Sequence, residues 1–443
     1  MIKRITSRLR YNLPMPDFLD IPERLVPLLR VLAETAKHHA TPLYVVGGFV
    51  RDNLLKLPTY EPDLDLVAVG NAPALVKELA AQHGGSFTAH PPFGTATWHL
   101  PSGMPMRAID FATTRTEIYA TAAALPTVTL ISGADALQRD AHRRDFSVNT
   151  LAMQLAPEPF GALIDPLGAL PDLHQGVLRT LHPHSFSDDP TRLLRAARFV
   201  ARLGFRLAAE SIAELPQGLP HIAALSGERL RHEFDLIFAE EMPHVALRWL
   251  AEHGVLAAID PRLTFDERLE SAYPALRALR ESPPDLDHLA ASWALFGSTF
   301  PDDAALLERL ALPKATHRAV AEVRRARLAL ACLEPTAPPS QITRALVPFC
   351  TEAVVAAALI GTPTDRDRVW QYLTLWRYAQ PAADGNFLRS LGLKPSPLFG
   401  RLLSRLRDAL LDGEVSSPEA QRALLKEWVN KAQDGAKPHE HTT

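Results

Sequence analysis

Apolar positions along the first 155 residues switch repeatedly between two periods. Leu25, Leu28, Leu29 and Leu32 recur at helical spacing and predict a helix over 21–39. Residues 43–46 are apolar and β-prone and predict a buried strand. Gly47 and Gly48 follow, and Arg51-Asp52 open a short helical run through Leu55 that Pro58 and Pro62 break. Asp63-Leu64-Asp65-Leu66-Val67 then alternates polar with apolar, as a half-buried strand does. A helix is predicted over 73–83, and strands over 95–100 and 106–111 joined by a Ser102-Gly103 turn. Strands alternating with helices predict an α/β domain with a small mixed sheet up to about residue 155. A helix is predicted to start at Asp188 and run to about Leu203. After Gly204 the pattern is helical with short turns, and 284–350 is rich in Ala, Leu and Arg.

A chain of 443 residues is too long for one ordinary core, and two to four domains are expected. Hydrophobic content of 47% is ample for burial, and no apolar run of membrane-spanning length occurs. The first ten residues are basic but lack the apolar stretch of a secretory signal, and read as a flexible arm near nucleic acid. Cys332 and Cys350 are the only cysteines. They build neither a disulfide framework nor a zinc cluster, and a reducing cytoplasm fits. A formal net charge of −3 means that any RNA binding uses local patches.

Four constellations carry candidate chemistry. Gly47 and Gly48 lack a Cβ, so backbone amides there can approach an anion closely. Asp63 and Asp65 stand at i and i+2, one face of a strand. Two carboxylates forced together repel unless a cation lies between them, and cysteine-free oxygen ligation suits magnesium, which keeps waters and shares substrate phosphates. Arg143-Arg144-Asp145 alone would be an exposed salt-bridged turn. Arg192, Arg195, Arg198 and Arg202 recur at three and four and form one stripe, with Asp189 three residues ahead of Arg192. The plain reading of Asp189 and Arg192 is an ion pair contributing roughly 0.2–0.5 kcal/mol. The sharper reading comes from base edges. Cytosine and adenine each present an amino donor beside a ring acceptor, which one aspartate and one arginine satisfy. Uracil and guanine reverse that pattern and would leave both protein groups unpaired, at about 1–3 kcal/mol per group.

Taken in order, these strings resemble the motifs of the tRNA nucleotidyltransferase and bacterial poly(A) polymerase family, the class II CCA-adding enzymes. Val45-Val46-Gly47-Gly48-Phe49-Val50-Arg51-Asp52 with Asp63-Leu64-Asp65 resembles the opening motif. Arg115-Thr116-Glu117-Ile118-Tyr119 resembles Arg-x-Glu-x-Tyr, and Arg143-Arg144-Asp145-Phe146-Ser147-Val148-Asn149 resembles Arg-Arg-Asp-Phe-Thr-x-Asn with serine for threonine. Asp165-Pro166-Leu167-Gly168 matches Asp-Pro-x-x-Gly, a segment expected to orient two modules. Asp188-Asp189-Pro190-Thr191-Arg192 matches Glu-Asp-x-x-Arg with a shorter first carboxylate. Glu228 to Glu233 resembles a neck segment in which Arg229 and Glu233 would pair, and 385–415 resembles the family's tail.

The resemblance implies an α/β nucleotidyltransferase head like that of DNA polymerase beta, with a small mixed sheet, followed by all-α neck, body and tail. The expected divisions are 1–155, 156–240, 241–350 and 351–443, the last ending in a disordered stretch from Gly435. It implies addition of CCA to tRNA 3′ ends from CTP and ATP with two magnesium ions. Asp63 and Asp65 would hold metal, and Asp110 would be the third carboxylate. Gly47, Gly48, Arg51, Arg144 and Asp145 would bind the triphosphate and ribose, Asp145 by accepting from the 2′-OH. Asp189 and Arg192 would read the base, with Arg195 and Arg198 on the phosphate side. The tail would grip tRNA phosphates, and no membrane or stable protein partner is implied. A-only addition, CC-only addition and poly(A) synthesis share this head and differ in the 112–142 segment, where the family carries a flexible loop. A non-catalytic tRNA-binding protein and a small-molecule nucleotidyltransferase are the readings from other classes.

Overall fold

The computed structural model describes residues 16–58, 63–279, 283–300 and 305–434. The basic opening decapeptide, Pro62 and the stretch from Gly435 lie outside the described residues. The described chain forms two compact units that divide between Pro261 and Arg262; the divisions expected from the sequence fall after 155, 240 and 350.

In the first unit, helix α1 (Val26–His38) buries Leu28, Leu29 and Leu32, the residues whose spacing predicts it. Strand β1 (Leu43–Val46) ends at Gly47, whose φ of +74° only glycine adopts at no steric cost. Helix α2 (Gly48–Leu54) starts immediately after, earlier than Arg51. Strand β2 (Asp65–Ala68) includes Asp65, while Asp63 precedes it. Helix α3 (Ala72–His83) is capped by the Asn71 side chain, which accepts from the Ala74 N–H. Strands β3 (Ser86–His90), β4 (Thr95–His99) and β5 (Ala108–Thr113) follow. Strand β3 (Ser-Phe-Thr-Ala-His) is a largely exposed edge strand that the sequence reading did not predict. Strands β6 (Arg115–Ile118) and β7 (Thr127–Leu130) form an antiparallel hairpin within the segment expected to be a flexible loop. Helix α4 (Ala136–Ala141) leads to β8 (Ala152–Ala156) and β9 (Leu163–Ile164).

The seven-stranded sheet has the order β3-β4-β5-β2-β1-β8-β9 and extends beyond residue 155 through the β8–β9 pair. β1 lies inside it, antiparallel to β2 and β8, and its Leu43, Val45 and Val46 are buried. β2 and β5 are parallel, with Asp65 opposite Asp110. That pairing is what positions the carboxylates.

Helices α5 (Ser185–Asp188), α6 (Thr191–Leu203), α7 (Ala209–Gly218) and α8 (Gly227–Ala239) complete the part of this unit that bears on the site. One helix was expected from Asp188 onward. The chain instead breaks at Asp189, extended at φ −131° and ψ 93°, and Pro190 is the cap of α6 rather than its first turn. The proline ring disfavours helical geometry in the residue before it, so Asp189 leaves the helix and its carboxylate is freed from helical register. Gly218 packs under α5. A Cβ there would lie 2.6 Å from Phe186 Cβ and 2.8 Å from its carbonyl oxygen. Gly218→Ala should therefore displace α5 and cost about 1–3 kcal/mol, as overpacking does. Thermal unfolding checks it, and an unchanged midpoint would show that α5 yields freely.

The second unit is helical. His288–Gly297, Lys314–Ala331 and Thr351–Leu359 pack on one another. Towards its end Leu388, Leu402, Leu406, Leu425 and Val429 form a separate apolar cluster. Among the described residues no single helix is long and apolar enough to cross a membrane. One consecutive pair, Pro339–Leu346 and Thr351–Leu359, is apolar enough when taken together but is bent by 116°.

Candidate active site

Every sequence-predicted site residue lines one cavity of about 940 Å³ in the first unit. Its wall is dense in charge, with seven arginines (51, 143, 144, 192, 195, 198 and 202) facing eight carboxyl groups (52, 63, 65, 110, 117, 145, 189 and 233).

The carboxylate end is set by strand pairing. Asp65 lies beside Asp110 across the β2–β5 ladder. Asp110 accepts from the Thr97 hydroxyl of its other neighbour, β4, and sits within β5 rather than at its end. Asp65 opens onto the cavity, yet the narrow wall desolvates its carboxyl, and Asp63 and Asp110 repel its charge. These effects raise its pKa above the ordinary carboxylate value, with Arg144 and Arg195 opposing. A Cβ on Gly47 would stand 3.6 Å from an Arg144 Nη1 and 3.9 Å from Asp65 Oδ2. The glycine turn, the arginine and the carboxylate thus meet at one point.

Arg144 is itself held. Asp140, fully buried, accepts from Arg144 Nη2 at 3.3 Å, from Arg143 Nε at 2.9 Å and from the Arg115 amide at 3.1 Å. Arg143 also reaches Glu117 at 3.3 Å, and Glu117 accepts from Arg115 and Tyr119. Burial, then Glu117, pushes the Tyr119 phenol up to about 12. The hairpin is in this way tied to the arginine pair. Sequence reading missed Asp140. Its one signal is the spacing of four to Arg144 within a helical turn.

Arg51 lines the cavity but is only 2% exposed, with Nε donating to Asp52 at 2.7 Å and Nη1 to Asn149 at 2.6 Å. Asp145 is saturated. Its Oδ1 accepts from the Phe146 amide and from Asn149 Nδ2, both at 2.8 Å. Its Oδ2 takes Arg195 Nε and Nη2 at 2.8 and 2.6 Å. A carboxylate has about four lone-pair sites, and four donors from within the protein occupy them here. Burial alone would raise the pKa of Asp145; Arg195, Asn149 and the Phe146 amide overcome it and hold the carboxyl well below its usual range.

The expected Asp189–Arg192 ion pair does not form. Asp189 Oδ1 is held by Arg229 Nη2 at 2.7 Å and by the Thr191 hydroxyl at 2.6 Å. Arg192 donates to the Ser185 hydroxyl and, at 2.7 Å, to the Arg143 carbonyl. The expected Arg229–Glu233 pair is replaced as well, because Arg229 turns to Asp189 and to the Ala123 carbonyl at 2.9 Å. Of the stripe, Arg195 goes to Asp145 and Arg202 to Asp52 at 2.8 Å, while Arg198 Nε is buried without a partner.

Residues 43–179 match the poly A polymerase head domain, and residues 204–266 match a probable RNA and SrmB-binding site of polymerase A. An A-adding tRNA nucleotidyltransferase of Halalkalibacterium halodurans is 32% identical over 410 residues, covering 92% of this chain and 93% of that protein. The chain belongs to the tRNA nucleotidyltransferase and poly(A) polymerase family. Within that family, a CC-adding tRNA nucleotidyltransferase of Deinococcus radiodurans is 32% identical over 94% of this chain and 97% of its own. An A-adding relative from Geobacter sulfurreducens is 31% identical over 93% of this chain, which spans about half of that protein (48%). Among solved structures, the Thermotoga maritima CCA-adding enzyme complexed with tRNA superposes with a TM-score of 0.76 at 26% identity, covering 92% of this chain and 96% of that one.

Proposed function

We propose that this nucleotidyltransferase adds nucleotides from CTP and ATP to the 3′ end of tRNA, completing CCA, in the cytoplasm. The observation that carries the reading is the meeting of Gly47, Arg144 and the Asp65–Asp110 pair in the same cavity as Asp189 and Arg192.

The residues fit magnesium. Asp63 and Asp110 crowd Asp65, whose pKa is raised first by burial and then by their charge. Among the described residues no three His, Cys, Asp or Glu side chains form a closed cage. Ligation completed by water and substrate phosphates is the habit of magnesium. Asp63 and Asp65 would hold it, and when bound it would supply charge neutralisation for the attacking and leaving oxygens. The chain's own groups do the rest. Gly47 and Gly48 admit the triphosphate to backbone amides, Arg144 presents its guanidinium to a phosphate oxygen, and Arg51 fixes the turn from behind through Asp52 and Asn149. Asp110, steadied by Thr97, lies where the entering 3′-OH can lose its proton. Asp189 Oδ2 and the Arg192 guanidinium would face the base edge of cytosine or adenine, with Arg195 and Arg198 beside them. We assign the neck to 156–240, the body to 241–350 and tRNA phosphate contacts to the tail at 351–443.

Incorporation of each labelled triphosphate into tRNA transcripts ending at the discriminator base, after one C and after two Cs tests this. CTP should extend the first two and ATP the third. Arg192→Ala should then relax selection against UTP and GTP by roughly tenfold, the loss of one hydrogen-bonded reader. Unaltered selectivity would remove Arg192 from base reading. A second reading, addition of A alone, is favoured by the A-adding relatives from Halalkalibacterium and Geobacter, and exclusive use of ATP would establish it.

A further inference from the structure

Arg192, the proposed base reader, is seated without a counter-charge. Its Nη1 donates to the Ser185 hydroxyl and, at 3.5 Å, to the Ser185 carbonyl, while Nη2 donates to the Arg143 carbonyl at 2.7 Å. Among the described residues no carboxylate pairs with it, because Asp189 is taken by Arg229. The remaining neighbour is an imidazole. His182 Nε2 lies 3.5 Å from the same Nη1, the outer limit of a hydrogen bond. His182 and Ser185 belong to one turn, in which the Ser185 amide donates to the His182 carbonyl at 3.1 Å just ahead of α5. That turn brings the ring and the hydroxyl to one guanidinium nitrogen.

An imidazole in this place has two states with opposite effects. With its proton on Nδ1, it offers the Nε2 lone pair to Arg192. With both nitrogens protonated it is a cation that can only donate, and two positive charges then face each other across 3.5 Å. His182 is half-buried. Burial first, and then Arg192, hold its pKa below the ordinary imidazole value; His184 and His142 push the same way and Asp188 opposes them. The ring is therefore neutral at neutral pH and takes up its proton only below about pH 6.5. Arg192 has no ion pair to hold it when that happens, since Ser185 and Arg143 give it only uncharged oxygens.

We propose that His182 is a positioning residue for base selection: its neutral imidazole keeps Arg192 seated on Ser185 and Arg143, and its protonation drives the guanidinium off them. Discrimination of cytosine and adenine from uracil and guanine then fades in mild acid. The inference rests on the reading of Arg192 as the base reader.

The test compares incorporation of CTP and ATP with that of UTP and GTP into tRNA transcripts between about pH 7.5 and about pH 5. The ratio is the readout, because titration of groups such as Asp65 slows all four nucleotides together. In the unaltered protein the ratio should fall roughly tenfold across that range, the loss expected of Arg192→Ala at neutral pH. His182→Gln puts an uncharged amide oxygen near the Nε2 position and should keep the ratio high throughout. His182→Lys, charged throughout, should give the low ratio already at the upper end. The same fall in His182→Gln as in the unaltered protein would overturn the proposal, and so would an unaltered ratio in His182→Lys. A second readout needs no activity. The His182 imidazole NMR signal, identified by its absence from His182→Gln, should titrate at higher pH in Arg192→Gln than in the unaltered protein, and an unmoved titration would overturn the contact. If the titration moves but Arg192→Ala leaves the ratio untouched, it is the base-reading role of Arg192 that falls.

Discussion

Asp65→Asn should lose nucleotide incorporation by roughly a thousandfold or more while tRNA binding stays nearly unchanged. The substitution keeps the shape of the side chain and removes its charge. Asp65 stands opposite Asp110 in the sheet and near Gly47 and Arg144, at the point where we propose that charge is neutralised during transfer. Several kcal/mol of such stabilisation, about 4 kcal/mol, corresponds to about a thousandfold in rate. Asp63→Ala should behave alike. A second readout separates chemistry from folding. Relief of the crowded carboxylates by magnesium should raise the thermal midpoint of the unaltered protein, and Asp65→Asn should largely abolish that rise. Substantial turnover in either variant would remove these carboxylates from metal binding.

The largest expected loss of stability is at Asp145→Ala. The Asp145 side chain is 7% exposed and that of Arg195 32%. Removing the carboxylate strands a guanidinium and the Asn149 amide together. Breaking a buried pair costs about 3–5 kcal/mol, and the partial exposure of Arg195 puts this case near 3 kcal/mol. Urea unfolding measures it. The pH dependence has a definite sign. The folded pKa of Asp145 is depressed, so its contribution is complete above the unfolded value of about 4 and is lost as pH falls below that towards the folded value. The gap between the two proteins should narrow on acidification below about pH 4. A gap that stayed constant would mean that packing, not charge, makes the difference.

Sequence reading located the site better than it wired it. Gly47, Asp65, Asp110 and Arg144 were legible because each is tied to a strand end, a turn or a short local string, and local strings carry their geometry with them. The arginines that pair with Asp189 and Asp145, and the Arg143 carbonyl that takes Arg192, were not, because those contacts join residues far apart along the chain. Asp189 meets Arg229 and Asp145 meets Arg195, whereas spacing rules see only neighbours at three and four. The break at Asp189 was readable in principle from Pro190. The hairpin of β6 and β7 was missed because its segment was read as a loop, although Thr127 to Leu130 alternate over a mostly exposed strand of four residues.

The balance of seven arginines against eight carboxyls in the cavity bears on how a turnover ends. Much of the positive charge is already spoken for inside the protein, Arg51 by Asp52, Arg195 by Asp145 and Arg202 by Asp52. A free polyanion therefore meets a wall with little standing surplus of charge, and Coulomb attraction there is short-ranged and divided. Pyrophosphate cut loose from the nucleotide loses the base and sugar contacts that kept it in place. It should leave quickly, and added pyrophosphate should be a weak product inhibitor, so that the cavity is cleared for the next triphosphate while the lengthened tRNA end stays bound.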